Sequence, residues 1–297
     1  MIPVLRDAGL SDLLEGDSVE TVAAGLQFTE GPLWLPDGSL LFQDIKAMKT
    51  HKVAPDGTLS TLRSDTEAAN GQTFDAEGRI VFCEQDGRRV SRMNMDGSNY
   101  EVMVERWEGA RLNSPNDIVA HSTGLLYFTD PPYGLKGDSD REIPFQGVYA
   151  LDGLSVPRKL LDDFEKPNGI AFSPDESTLY VCDTGDYHVR AFDVRPDGQL
   201  VEGSGRVFAT LDPGRDGGPD GMKVDGEGRV YVAVALGVWA FEPGGRLLGI
   251  LGLPQRPSNL AWGGPDGKTL AITAVDHVYK VRFQVAGLLP RFLPRMA

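Results

Sequence analysis

Short runs rich in Val, Ile, Leu, Phe and Tyr recur along the whole chain, and each is broken by a compact turn signal, as in GPLWL-PDG-SLLFQDI and GIAFS-PDES-TLYVCDT. Apolar runs of this length flanking Asp-Gly or its equivalents predict β-hairpins, and no stretch carries a sustained helical period. The turns are regularly spaced. PDGSL at 36–40, AEGRI at 76–80, STGLL at 122–126, PDEST at 174–178, GEGRV at 226–230 and PDGKT at 265–269 follow one another at steps of 40, 46, 52, 52 and 39 residues. A second set, PDGTL at 55–59, MDGSN at 95–99, PDGQL at 196–200 and PGGRL at 243–247, falls about 20 residues after most members of the first. Two hairpins per unit make a four-stranded antiparallel sheet, and six such units in tandem predict an all-β, six-bladed β-propeller.

The run at 271–283 is expected to close the ring beside strand sequence near 18–28, which removes an exposed sheet edge. The expected organisation is an N-terminal extension over 1–17, one propeller domain over 18–287 and a C-terminal tail over 288–297.

One polar position repeats inside this apolar frame. Six residues before each first turn stand Glu30, Asn70, Asn116, Asn168, Asp220 and Asn259, all side chains with an acceptor oxygen. Each begins the innermost strand of its unit, so the six meet in a ring at one end of the axial channel. Turn chemistry alone favours Asn and Asp before Gly, but it also admits Ser, Thr or Gly, and none occurs at these positions. A ring of hard oxygens with two carboxylates and no thiolate or imidazole suits Ca²⁺, with Mg²⁺ or Mn²⁺ as alternatives, and Glu30 and Asp220 balance a 2+ charge. A bound divalent ion polarises a carbonyl or phosphoryl oxygen and acidifies water, and a channel carboxylate beside it serves as general base. Asp220 is the better candidate, because Gly217, Gly218 and Gly221 around it are expected to let a ligand approach the backbone.

Composition narrows the partners. Asp and Glu outnumber Lys and Arg by 43 to 29, a formal net charge of −14, which weighs against nucleic acid and anionic membrane. Cys83 and Cys182 lie in strand-like runs and are expected as buried free thiols. The start MIPVLRDAGLSDLLEGD, interrupted by Arg6, Asp7, Asp12 and Glu15, has no signal-peptide pattern, and no run reaches the ~20 apolar residues of a membrane span. A cytoplasmic protein, monomeric or weakly homo-oligomeric, is expected. His51, His121, His188 and His277 show no metal-ligand spacing, no G-x-S-x-G elbow occurs, and GGPDGK at 263–268 has the wrong spacing for a phosphate loop.

FTEGPLWLPDGSLLFQDI (28–45), ANGQTFDAEGRIVFCE (69–84), RLNSPNDIVAHSTGLLYFTDPPYG (111–134), KPNGIAFSPDESTLYVCDT (166–184), GGPDGMKVDGEGRVYVA (217–233) and PSNLAWGGPDGKTLAIT (257–273) together resemble the SMP-30/gluconolactonase/luciferin-regenerating enzyme family. LNSPND followed by FTDPPYG is similar to its bacterial gluconolactonase branch. The resemblance implies a metal-dependent lactonase acting on a small-molecule lactone, with metal contacts from Glu30, Asn116, Asn168 and Asp220. Zn²⁺ and Fe²⁺ join the candidate metals, and Asp220 matches the general base. Asn70 and Asn259 would line the channel. Gln85 and Asp86 stand where bacterial members often have His and Gly, and Ser114 where vertebrate members have Arg; both departures bear on the substrate. Tyr133, Arg111 and Asp130 are further candidates for substrate contact, with a surface ion pair the alternative for the last two. Two other functions fit the same channel: an organophosphate or phosphotriester hydrolase, and a non-catalytic binding propeller with a structural metal. Strictosidine-synthase-like condensation is more distant.

Overall fold

The computed structural model describes residues 3–16, 18–154, 156–211, 214 and 217–294, with the side chain of residue 138 excepted. Residues 1, 2, 17 and 295–297 of the expected extensions lie outside the described residues. Six antiparallel four-stranded sheets follow one another along the chain as six blades. Blade 1 is Thr29–Trp34, Leu40–Asp44, Lys49–Val53 and Leu59–Ser64, and blade 2 is Ala69–Phe74, Ile80–Glu84, Arg89–Met93 and Glu101–Val104. Blade 3 is Ile118–Ala120, Leu126–Asp130, Gly147–Leu151 and Arg158–Leu161; blade 4 is Pro167–Phe172, Thr178–Asp183, His188–Asp193 and Arg206–Thr210. Blade 5 is Met222–Val224, Val230–Val234, Gly237–Phe241 and Leu247–Leu251. Blade 6 is Asn259–Gly263, Thr269–Ala274, His277–Arg282 and, from the other end of the chain, Glu20–Ala24. That closure explains why the last repeat lacks a second turn: its outer strand comes from the N-terminus. Among the described residues, helix is confined to two 3₁₀ turns, Ser11–Leu13 and Asp138–Asp140, and no helix is long and apolar enough to cross a membrane.

The second strand of each blade is sandwiched between two neighbouring blades, so both its faces are buried and its sequence reads as a nearly continuous apolar run: LLFQD, IVFCE, LYFTD, VYVAV. Six hydrophobic clusters fill the six blade-to-blade interfaces. Leu33, Leu41, Phe74 and Phe82 pack between blades 1 and 2; Tyr231, Leu260, Trp262 and Phe283 pack between blades 5 and 6. Each interface buries apolar side chains from both neighbours, so a blade has no core of its own. Cys83 and Cys182 are free and buried in two of these interfaces.

Hydrogen bonds bind neighbouring innermost strands around the axis. Gly71 N donates to Asn116 O at 2.8 Å, Gly169 N to Asp220 O at 3.0 Å and Gly221 N to Ser258 O at 2.8 Å. Gln72 Nε2 donates to Gly31 O at 2.6 Å, Thr129 Oγ1 to Asn168 O at 2.8 Å and Ser258 Oγ to Thr29 O at 2.7 Å. The glycine after a ring residue is what permits this approach. A Cβ on Gly169 would lie 2.4 Å from Asp220 O and 2.7 Å from Met222 N, both fixed backbone atoms. Gly169→Ala is therefore expected to cost about 3 kcal/mol, read as a lower urea midpoint at unchanged m.

Outside the blades, Val4–Asp7 adds a fifth strand to blade 5, and Leu10 is buried between blades 5 and 6. The tail crosses the end of the channel opposite the ring. Leu288 N donates to Val224 O, Arg291 pairs with Glu176 at 2.9 Å, and Phe292 packs against the clusters between blades 1 and 2 and between blades 2 and 3. Beneath it lies a mostly apolar cavity of about 280 Å³ walled by Trp34, Ile118, Ile170, Phe172, Trp262 and Leu289.

Candidate active site

The six ring positions are all buried at the start of their innermost strands. Glu30, Asn70, Asn116, Asn168 and Asp220 line one cavity of about 280 Å³ at the mouth of the channel, together with Phe28, Ile45, Lys46, Gln85, Tyr133, Thr184 and Arg256. Asn259 sits just behind it. Its Oδ1 accepts the Leu260 N–H at 2.8 Å, and its side chain hydrogen-bonds Glu30.

Backbone geometry sets the two carboxylates. Asp220 N donates to Ala233 O and Asp220 O accepts from Gly169 N, so this residue is held from both sides. Glu30 Oε2 accepts the Gly31 N–H at 2.9 Å. Burial and the Asp220 charge hold the Glu30 carboxyl well above the usual range. Asp220 is pushed up to about 6 by burial, opposed by Arg256 at 3.6 Å and by a hydrogen bond from Asn168. Asp117, beside Asn116, adds to the strain: its Oδ2 is buried without a hydrogen-bond partner, 3.9 Å from Lys223 Nζ.

The amides complete the donor set. Asn168 Nδ2 donates to Thr184 Oγ1 at 3.1 Å and lies 3.5 Å from the Tyr133 hydroxyl, which leaves its Oδ1 for a ligand. Thr184 Oγ1 in turn donates to Pro219 O at 2.6 Å. Asn70 Oδ1 is buried and has no hydrogen-bond partner. Two crowded carboxylates, an orphaned amide oxygen and further amide oxygens in one pocket form an all-oxygen set. A hard divalent cation fits it, since it would offset the charge and satisfy the orphan.

The remaining candidates divide. Tyr133 lines the cavity, and burial pushes its hydroxyl up. Ser114 and Arg111 do not line it. Ser114 Oγ accepts the Gly134 N–H at 2.8 Å and so anchors the loop that carries Tyr133. Arg111 donates to Gly87 O at 3.3 Å, away from the channel. Asp130 is neither a substrate contact nor a surface ion pair: fully buried, it accepts the N–H groups of Asn113 and Ser114, and burial pushes it up to about 7. Asp44 and Asp183 staple the equivalent loops of blades 1 and 4 in the same way. Asp183, Asp186 and His188 cluster within 4.8 Å, but Asp183 already accepts four backbone N–H groups. The glycines around Asp220 also serve packing rather than ligand approach. A Cβ on Gly221 would lie 2.2 Å from Asn259 Cγ, one on Gly218 2.5 Å from Thr184 O, and one on Gly217 2.7 Å from Ala235 Cβ.

Lys46, Thr184 and Arg256 were not singled out in the sequence. A repeat signal exists for Thr184: Ile45, Gln85 and Thr184 each follow the last residue of a second strand, and all three line the cavity. Of the pair Gln85 and Asp86, Gln85 lines the cavity and Asp86 does not.

The SMP-30/Gluconolactonase/LRE-like region model matches residues 28–276. The chain is 32% identical to a gluconolactonase of Zymomonas mobilis, over 91% of this chain and 82% of that protein. Among solved structures, a gluconolactonase from Xanthomonas campestris superposes with a TM-score of 0.86 at 33% identity, covering 95% of each chain. A calcium-binding regucalcin from Agrobacterium tumefaciens shares the fold, with a TM-score of 0.78 at 19% identity over 93% of this chain and 97% of that one.

Proposed function

The chain belongs to the SMP-30/gluconolactonase/LRE-like family, and from that premise we propose that it hydrolyses small lactones, aldonolactones foremost, with one divalent cation in the channel. The observation that carries the reading is the convergence of the buried Glu30, Asp220 and the amides of Asn70, Asn116 and Asn168 in one cavity of about 280 Å³ at the channel mouth. Glu30, Asn116, Asn168 and Asp220 would hold the cation, Ca²⁺ in the first instance, with Mg²⁺, Mn²⁺, Zn²⁺ or Fe²⁺ as alternatives. When bound, it supplies positive charge where the ester carbonyl becomes an oxyanion, and it acidifies nearby water.

The residues of the chain do the rest. Asp220 accepts a proton as water adds to the ester carbon and returns it to the ring oxygen when the C–O bond breaks. Asn168 and Arg256 orient that carboxylate. Asn70, Gln85 and Tyr133 offer hydrogen bonds to ring hydroxyls, and Tyr133, on a loop anchored by Ser114, covers the mouth. Asn259 holds Glu30 from behind.

A substrate panel with cation present tests this: pH-stat turnover of glucono-, galactono- and aliphatic lactones beside a paraoxon-type phosphotriester. The expected order places sugar lactones at least 100-fold ahead in kcat/KM, within the range that complementarity to one transition state provides. Faster phosphotriester hydrolysis would reassign the reaction.

A further inference from the structure

The mechanism uses the rim charge only in part: Arg256 orients Asp220, and Lys46 has no role in it. Among the described residues lining the active-site cavity, four are charged: Glu30 and Asp220 in the ring, and Lys46 and Arg256 above it. The two cations come from adjacent blades. Lys46 follows the second strand of blade 1, and Arg256 precedes the innermost strand of blade 6, so they stand on one sector of the mouth. Lys46 is exposed, with its ammonium 5.4 Å from the centre of the Phe28 ring, which also lines the cavity. Gly217 lies against Arg256, where an added Cβ would come within 3.4 Å of the guanidinium carbon. Its contact with Asp220, at 3.6 Å, is looser than a close charge-assisted pair, and 44% of its side chain remains exposed.

A neutral sugar lactone needs hydroxyl partners, and the cavity has these in Asn70, Gln85, Thr184 and Tyr133. A neutral ring gains no charge complementarity from two cations on one side. Once a divalent ion balances Glu30 and Asp220, the pocket carries the uncompensated charge of Lys46 and Arg256. The chain as a whole carries −14. Its overall field repels anions, so a local positive sector at the ligand mouth is a feature that an anionic ligand exploits.

We propose that the preferred substrate is a lactone bearing an anionic group (carboxylate or phosphate) at the end remote from the ester, and that Arg256 and Lys46 determine this specificity. The inference rests on the lactonase reading. Arg256 supplies a planar fork suited to a carboxylate or phosphate edge, and Lys46 a mobile point charge.

The test compares kcat/KM of the cation-loaded full chain on glucono-δ-lactone, an aldarolactone with a free carboxylate, and 6-phosphogluconolactone. At least one anionic lactone is expected to exceed the neutral one by about 10-fold or more at low salt, and the faster of the two identifies the anion. Two further readings are expected to collapse that ratio by about 10-fold: raising salt from about 20 mM to about 0.5 M, and the double variant Lys46→Gln/Arg256→Gln. Neutral lactone turned over as well as both anionic ones, or a ratio that neither salt nor the double variant moves, overturns the inference while leaving the lactonase reading standing. No turnover of any lactone overturns both.

Discussion

Asp220→Asn is expected to lower kcat/KM for lactone hydrolysis by about 10³-fold while the chain stays folded, because the change removes a general base, a step that alone contributes 10²–10⁴-fold. The substitution keeps the shape of the side chain, and the residue's own backbone bonds to Ala233 and Gly169 do not depend on the carboxylate. Folding is therefore spared. In the metal-free chain it should even improve, since the Asp220 carboxyl is raised from 3.8 to about 6 by burial. A raised folded value means that the native chain holds a proton the unfolded chain has released. Stability contributed by the neutral form is thus lost as pH rises from 3.8 to about 6. Asparagine removes that loss. Thermal unfolding at pH 5 and pH 8 checks folding, and initial rates check catalysis. A folded variant retaining hydrolysis within 10-fold of the parent would assign the base to another group.

Glu30→Gln is expected to have effects of opposite sign with and without cation. In the metal-free chain Glu30 is fully buried beside Asp220 and Asp117, and its carboxyl is held far above the usual glutamate range by burial first and the Asp220 charge second. Above the usual range of an unfolded glutamate, ionisation therefore costs stability, and the cost grows as pH rises. Neutral glutamine removes it, by about 1–3 kcal/mol, the scale of an uncompensated buried polar or charged group. With cation the balance reverses. A cation at 100 times its Kd stabilises the parent by about 2.7 kcal/mol, and a variant lacking one of two carboxylate ligands forfeits most of that. Calorimetric Tm values with EDTA and with Ca²⁺ read both effects: the variant should melt higher than the parent in EDTA and gain little from Ca²⁺. Equal Ca²⁺-induced shifts in both chains would remove Glu30 from the cation site.

The ring was legible because the propeller repeats its register: a fixed offset of six residues from the first hairpin turn of each blade brings Glu30, Asn70, Asn116, Asn168, Asp220 and Asn259 into equivalent positions. What resisted reading are features that depend on contact between blades. Gly31, Gly71, Gly169 and Gly221 look like turn residues or ligand clearances, yet each faces backbone or a side chain of the next blade at 2.0–2.4 Å from where a Cβ would stand. Asp130 looks like a free carboxylate at a strand end, and only the fold brings the Asn113 and Ser114 N–H groups onto it. Arg256 was missed for another reason. It lies in the connection from blade 5 to blade 6, where sequence periodicity carries no information, and its nearness to Asp220 arises from the packing of these consecutive blades. The N-terminal strand at Val4–Asp7 likewise adds to blade 5, far from its neighbours in sequence.

The central claim is that the oxygen ring holds one divalent cation on which lactone hydrolysis depends. Its most direct test is to strip the chain with chelator, remove the chelator, and titrate Ca²⁺ while following gluconolactone hydrolysis by pH-stat. Negligible turnover is expected in the stripped chain, with recovery that saturates at one equivalent of tightly bound cation. Full turnover in the stripped chain, unchanged by any divalent metal, would contradict it.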